Sequence, residues 1–172
     1  MPDAPRVVGR VAELLAAYEL PLLRYAHSLL GDADAARDVV QETFLRLIRD
    51  GDDASRNGHA AAWLFTVCRN RAMDVRRKER RMIATADPMQ LDRPSPAAEP
   101  HVSAESDESA ALVRLWLTTL PEREQEVVRL KFEAGLSYRE IAAAMGLSVT
   151  HVGVMLHTAI KTLRARMSGT GL

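Results

Sequence analysis

The chain has a single cysteine, Cys68, so no internal disulfide can form, which fits a reducing compartment. Set among apolar neighbours, that thiol reads as buried filler rather than a nucleophile. Aromatic residues make up only 5% of 172 positions, a scarcity that suits small helical bundles. No apolar stretch approaches the ~20 residues a membrane span needs. The amino terminus, Met1-Pro-Asp-Ala-Pro-Arg6, lacks the apolar core of a signal peptide, so a soluble cytoplasmic protein without membrane insertion is expected. Alternating apolar runs and hairpin dipeptides are missing, which leaves little room for strands. His27, His59, His101, His151 and His157 are scattered without metal-ligand spacing, and no nucleophile–base pair or phosphate loop is evident. An enzyme, a metal site and a cofactor are therefore not expected.

Net charge is absent as well, but its absence hides segregation. Residues 1–55 carry about −4, residues 56–81 about +6, residues 84–109 about −5, and the remainder about +3. A basic block inside a neutral chain is either a phosphate-facing surface or a solvated helix face.

What the chain does have is helical period and enough apolar residues, 47%, to build cores. Val11 to Leu30 reads as helix, with Leu14, Leu15, Tyr18, Leu22, Tyr25, Ala26 and Leu29 inward and Pro21 implying a kink or break. Asp34 to Ile48 follows, with Ala35, Val39, Phe44, Leu47 and Ile48 apolar. After a polar loop from Gly51 to Gly58, a long helix runs from His59 or Ala60 to about Arg81. Residues 84 to 106 then collect Pro88, Pro94, Pro96 and Pro100 among acidic and serine residues, a composition that cannot bury a core. Helical pattern returns over Ala111 to Leu120. It returns again from Pro121, with Val127, Val128, Leu130 and Phe132 inward and Gly135 as the stop. The expected fold is all-α: two small helical domains, residues 7–83 and 109–168, joined by an acidic, proline-rich linker, residues 84–108.

The last segment carries the sharpest local pattern. Ser137 can cap a helix, with Glu140 completing a capping box, and Ile141, Ala142 and Met145 form its apolar stripe. Gly146 stands where that helix must end in a left-handed residue. Ser148 can cap a second helix whose buried stripe is Val152, Leu156, Ala159 and Leu163. This reads as a helix-turn-helix, with an ordinary helical hairpin as the alternative. Its second helix is nearly bare of positive charge.

The basic block lies on the third helix: Arg69, Arg71, Arg76, Arg77, Lys78, Arg80 and Arg81, with Asn70 among them. Such a run gives sequence-independent, salt-sensitive affinity for phosphates, and an amide like that of Asn70 can hydrogen-bond a base edge. Trp63 and Phe65 can stack on an unpaired base. The competing role is core packing, which weighs more for Trp63 than for Phe65. On the second helix Asp38, Gln41, Glu42, Phe44 and Arg46 form a polar face with one aromatic in it, open to a basic partner.

Two runs, Asp34-Ala-Ala-Arg-Asp-Val-Val-Gln-Glu-Thr-Phe-Leu-Arg-Leu-Ile48 and Ala62-Trp-Leu-Phe-Thr-Val-Cys-Arg-Asn-Arg-Ala-Met-Asp-Val-Arg-Arg77, resemble region 2 of bacterial sigma factors. The Leu120-Pro121-Glu122-Arg123-Glu124 start and the helix-turn-helix resemble region 4. The short two-region form is similar to the extracytoplasmic-function (ECF) group. The resemblance implies a transcription initiation factor that binds core RNA polymerase, through the clamp helices of its largest subunit and its flap, and promoter DNA. An anti-sigma factor is a further implied partner. Matching positions make Asp38, Gln41, Glu42 and Phe44 the polymerase-binding candidates. Trp63, Asn70, Arg71, Asp74, Arg76 and Arg77 become candidates for the −10 element. Arg139, Ser148, Val149, Thr150, Gly153, Val154, His157, Thr158 and Lys161 become candidates for the −35 element. The linker is implied to follow the RNA-exit path. The chain departs from the family at Gly153, Met155, Thr158 and Ile160, where relatives usually carry lysine or arginine. Val154 and Met155 there can meet thymine methyls or cover a protein. Two other roles compete: capture of an anti-sigma factor without directed transcription, and a helix-turn-helix regulator of the ordinary kind.

Overall fold

The computed structural model describes residues 4–50, 59–85 and 107–169, and these hold seven helices and no strand. They are α1 (Ala4–Leu30), α2 (Ala33–Asp50), α3 (Ala60–Thr85), α4 (Asp107–Leu117), α5 (Glu122–Phe132), α6 (Tyr138–Met145) and α7 (Val149–Gly169). The chain divides into two compact units, Met1–Ala97 and Ala98–Leu172. The polar loop expected at 51–58 and most of the expected linker lie outside the described residues. At the linker's margins, residues 84–85 are helical within α3 and residues 107–108 within α4.

In the first unit α1, α2 and α3 all pack on one another. Gly31, at φ +70°, ends α1, its N–H donating to the His27 carbonyl at 2.8 Å. Asp32 then caps α2 by accepting from the Ala35 N–H at 2.7 Å. The core joins Leu22, Tyr25 and Ala26 of α1 to Val39, Val40, Phe44 and Leu47 of α2 and Leu64, Phe65, Cys68 and Ala72 of α3. Tyr25 and Phe65 meet edge to face, 5.3 Å between centroids. Thr43 is buried too, its hydroxyl satisfied by donating to the Val39 carbonyl at 2.8 Å.

Several expectations are corrected here. Of the kink or break expected at Pro21, the break does not occur, since α1 continues through it. The bond Pro21 cannot make would have gone to the carbonyl of Ala17, an exposed residue. Leu15 is exposed because the described burial of α1 is confined to Leu22–Ala26. Ile48 is exposed on α2 and Phe132 on α5, each just past the inward arc of its helix. Helix α4 runs from Asp107 to Leu117 rather than from Ala111 to Leu120, whose last three residues form a turn.

The second unit buries Leu117 and Leu120, then Val127, Val128 and Leu130 of α5, Leu136, and the inner faces of α6 and α7. Helix α7 is its organising element, packing on α4, α5 and α6 alike.

Burial sets the chemistry of the lone cysteine. Removal from water pushes the Cys68 thiol from its ordinary 9.0 up to about 12, with a hydrogen bond to Thr43 working against the shift. A raised folded pKa means stability is whole below about pH 9 and is lost as pH climbs toward about 12, where only the unfolded chain ionises readily. Wild type should therefore lose stability relative to Cys68→Ala above pH 9, by at most about 1.4 kcal/mol per pH unit. Denaturant titrations at several alkaline pH values measure this. The native thiol should also resist alkylation at pH 8 and react once unfolded. A parallel pH dependence in both proteins would contradict the assignment.

Candidate nucleic-acid interface

The rotation of α3 decides what it can touch. With Leu64, Phe65, Cys68 and Ala72 inside, the opposite side of the helix carries Trp63, Asn70, Asp74, Arg77 and Arg81 at spacings of seven, four, three and four. That stripe is about 27 Å long at 1.5 Å per residue. Trp63 is half-buried at its amino end. Asn70 is exposed, and Arg77 is held by Asp74 at 3.3 Å. From Arg77 to Thr85 every residue is exposed, so the basic end of α3 stands clear of its own bundle's core.

Not all candidates share the stripe. Arg71 sits to one side and pairs with Glu42 of α2 at 2.8 Å. Arg76 lies nearer the buried face and is half-buried. Phe65, offered above as a stacking aromatic, is 1% exposed and belongs to the core, while Trp63 retains access. The weights given to those two aromatics are reversed. Helical phase does separate them: Phe65 falls beside Leu64, Cys68 and Ala72, whereas Trp63 lies on the opposite side with Asn70 and Asp74.

On α2, Asp38 and Gln41 are exposed and Glu42 is partly so. Phe44 is not on that face: it is 5% exposed and packs in the core, a correction to its reading as a surface contact. The apolar side chains that do accompany Asp38 and Gln41 are Leu45 and Ile48, both at least half exposed, at helical spacing along one stripe. Sequence reasoning missed this role for them by filling the core with Ile48. The available signal was the phase of Val39, Thr43 and Leu47, which turns residues 41, 45 and 48 outward.

The helix-turn-helix is built as its residues dictate. Ser137 Oγ accepts from the Glu140 N–H at 3.3 Å, and Glu140 Oε2 accepts from the Ser137 N–H at 2.8 Å. Gly146 takes φ +64° and ψ +40°, its N–H returning to the Ala142 carbonyl. Ser148 Oγ accepts from the His151 N–H at 3.1 Å and starts α7. Across this turn the axes of α6 and α7 bend through 104°, within the range of helix-turn-helix units. No single described helix is long and apolar enough to cross a membrane.

The outer face of α7 presents Thr150, Val154, His157, Thr158 and Lys161, all exposed. Met155 is 8% exposed and packs inward, so of the two apolar residues offered for thymine methyls only Val154 is available. Val149 and Arg139 are exposed, and Ser148 spends its oxygen on the cap. Gly153 lies under Tyr138, whose ring would sit 3.7 Å from an added Cβ, and that ring has the Lys131 ammonium 5.5 Å from its centroid. Lys131 also donates to the Leu136 carbonyl at 3.1 Å. Among the described residues no cluster of His, Cys, Asp and Glu can hold a metal ion.

Comparison with known proteins follows the same division. The chain matches the family models "Sigma-70 region 2" over residues 14–82 and "Sigma-70, region 4" over residues 116–165. It is 34% identical to the ECF RNA polymerase sigma factor SigL of Mycobacterium tuberculosis over 88% of this chain and 85% of that protein. It is also 34% identical to the ECF sigma factor EcfG of Rhodopseudomonas palustris, over 89% and 82%. The structure of CnrH in complex with the cytosolic domain of CnrY is similar at a TM-score of 0.62 and 26% identity, covering 92% of this chain and 88% of CnrH. The sigma factor RpoE of Bartonella quintana, solved with the anti-sigma factor NepR, shares the fold at a TM-score of 0.70 and 24% identity, over 91% and 95%.

The two glycines of the helix-turn-helix should respond oppositely to alanine. Gly153 has helical backbone and room for a methyl, so Gly153→Ala should stabilise by about 0.5–1 kcal/mol. Gly146 has a left-handed backbone, so Gly146→Ala should destabilise by about 1–2 kcal/mol. Urea titration followed by circular dichroism reads both. A loss from Gly153→Ala would show that the Tyr138 contact is tighter than these distances allow.

Proposed function

The chain belongs to the ECF group of RNA polymerase sigma factors and is a transcription initiation factor, and on that premise we propose how its surfaces divide the work. The observation that carries the proposal is the outward stripe of α3, where an exposed amide, a half-buried indole and cations share one side of a helix. Region 2, residues 7–83, docks on core RNA polymerase through Asp38, Gln41, Leu45 and Ile48 of α2. That pattern of two polar and two apolar groups suits the clamp helices of the largest subunit. Its α3 then meets the −10 element. Asn70 reads a base edge, Trp63 stacks on a base leaving the duplex, and Arg77, Lys78, Arg80 and Arg81 neutralise phosphates.

Region 4, residues 109–168, meets the −35 element with the outer face of α7. Thr150, Val154 and Thr158 offer methyls to thymine, while His157 and Lys161 supply the polar contacts. Arg139 and Lys131 lie on the preceding helices, where a helix-turn-helix crosses the DNA backbone. A unit so poor in charge adds selectivity to a complex held by polymerase rather than binding tightly by itself. The protein acts by recruitment in the cytoplasm, not by catalysis.

A second partner is an anti-sigma protein. CnrH is bound to the cytosolic domain of CnrY, and on this chain Leu112, Val113 and Leu115 of α4 stand exposed as apolar contacts for such a domain.

Run-off transcription with purified core polymerase, on promoters recovered from cells, tests the reading. The chain should bind core and yield discrete transcripts. Asn70→Ala should narrow the difference between strong and weak −10 sequences about tenfold, the scale of one lost bidentate base contact. Arg77→Ala should weaken every promoter alike and lower the salt slope by about one unit. Equal loss at all promoters from Asn70→Ala would remove the base-reading role. Failure to bind core, with capture of an inhibitor intact, would leave only the anti-sigma interaction.

A further inference from the structure

The Glu42–Arg71 ion pair joins a residue that the family resemblance implied for polymerase with one that it implied for DNA. Unlike Arg77–Asp74 or Arg46–Asp50, which each span one helical turn, it crosses from α2 to α3. Glu42 stands to the α3 side of the Asp38, Gln41, Leu45 and Ile48 stripe, not within it. Both side chains are 46% exposed, too wet for the pair to be a major stabiliser of the fold. What it does provide is a fixed place for a long side chain that otherwise samples many rotamers. The Nη2–Oε2 contact uses one end of the guanidinium. The rest of its five N–H donors lie outside that contact, and Arg71 is an exposed residue that directly follows Asn70 in the chain.

We propose that Glu42 is a positioning residue for the DNA-facing side of α3, holding Arg71 ready for a backbone phosphate, rather than a contact to polymerase. This rests on the sigma-factor reading above. The carboxylate lowers the net charge near Asn70, so the benefit is geometric: Arg71 meets the phosphate with its rotamer already chosen. Ordering one long side chain sets the scale, and Glu42→Ala should weaken binding to promoter DNA about three- to tenfold.

The test uses holoenzyme assembled from full-length chain and core polymerase, with a fork-junction DNA carrying a single-stranded −10 segment. Core affinity and DNA affinity are measured separately. For Glu42→Ala, core affinity should hold within about twofold while DNA affinity falls by the stated three- to tenfold. Arg71→Ala should lose at least as much, and Glu42→Ala added to it should lose nothing more, because the two act as one unit. The exchange Glu42→Arg with Arg71→Glu rebuilds an ion pair but faces the phosphate with a carboxylate, so DNA affinity should stay low. Recovery of DNA affinity by that exchange would mark the pair as merely structural and overturn the proposal. A fall in core affinity with Glu42→Ala would overturn it too, by making Glu42 a polymerase contact. If wild type itself fails to form holoenzyme, the sigma reading fails first and the inference falls with it.

Discussion

The packing of Leu64, Phe65, Cys68 and Ala72 of α3 against α1 and α2 is the constraint on which the rest of the first unit's function turns. A helix has one rotational degree of freedom about its axis, and filling a core fixes it. The edge-to-face contact of Tyr25 with Phe65 and the deeply buried thiol of Cys68 lock that setting from two directions. Once they are inside, Asn70, Asp74, Arg77 and Arg81 must be outside and in line. A rotation of one residue position, 100°, would carry Asn70 off the outer face and Arg71 toward the middle of it. The makeup of the proposed DNA-facing stripe is therefore set by apolar packing about one helical diameter away.

In the proposed division of work the two units use opposite physics for the same task. On α3 the proposed attraction is electrostatic, salt-dependent and largely indifferent to sequence, with Asn70 as the proposed discriminating group. On α7 the outer face is methyl-bearing and nearly neutral, so what it contributes is discrimination with little net attraction. The missing charge is not compensated within the helix. Gly153 is occupied from outside by the Tyr138 ring, and Met155 has turned inward to fill the core. Two of the four positions at which the chain departs from the family it resembles are thus covered or buried.

Much of this was legible in the sequence, for stated reasons. Caps, left-handed glycines and apolar stripes are local, and the helix-turn-helix from Ser137 to Leu163 follows from them almost residue by residue. Family resemblance added the division of labour. What could not be read was anything at the border of an inward arc. Phe44 and Ile48 exchange expected places, because a border residue turns inward or outward according to its neighbour helix and not its own. Leu15 and Phe132 fail for the related reason that periodicity says which side is apolar and not how far the partner helix extends. The Glu42–Arg71 pair lies 29 positions apart along the chain, and no local rule joins them.

A charge-poor reading helix is a sound design only when something else supplies proximity. A module that binds a site at millimolar strength alone is close to useless in free solution. Tethered beside that site by a tighter partner, it works at an effective concentration of about the same order. Half-occupancy of the −35 contact then tracks the sequence, since each thymine methyl gained or lost shifts a balanced equilibrium. A strongly cationic α7 would sit on any DNA within reach and would blunt that response, because its phosphate contacts are blind to sequence. Selection at the −35 element is in this view sharpened by weakness. It follows that restoring cations to α7 should increase total affinity while eroding discrimination.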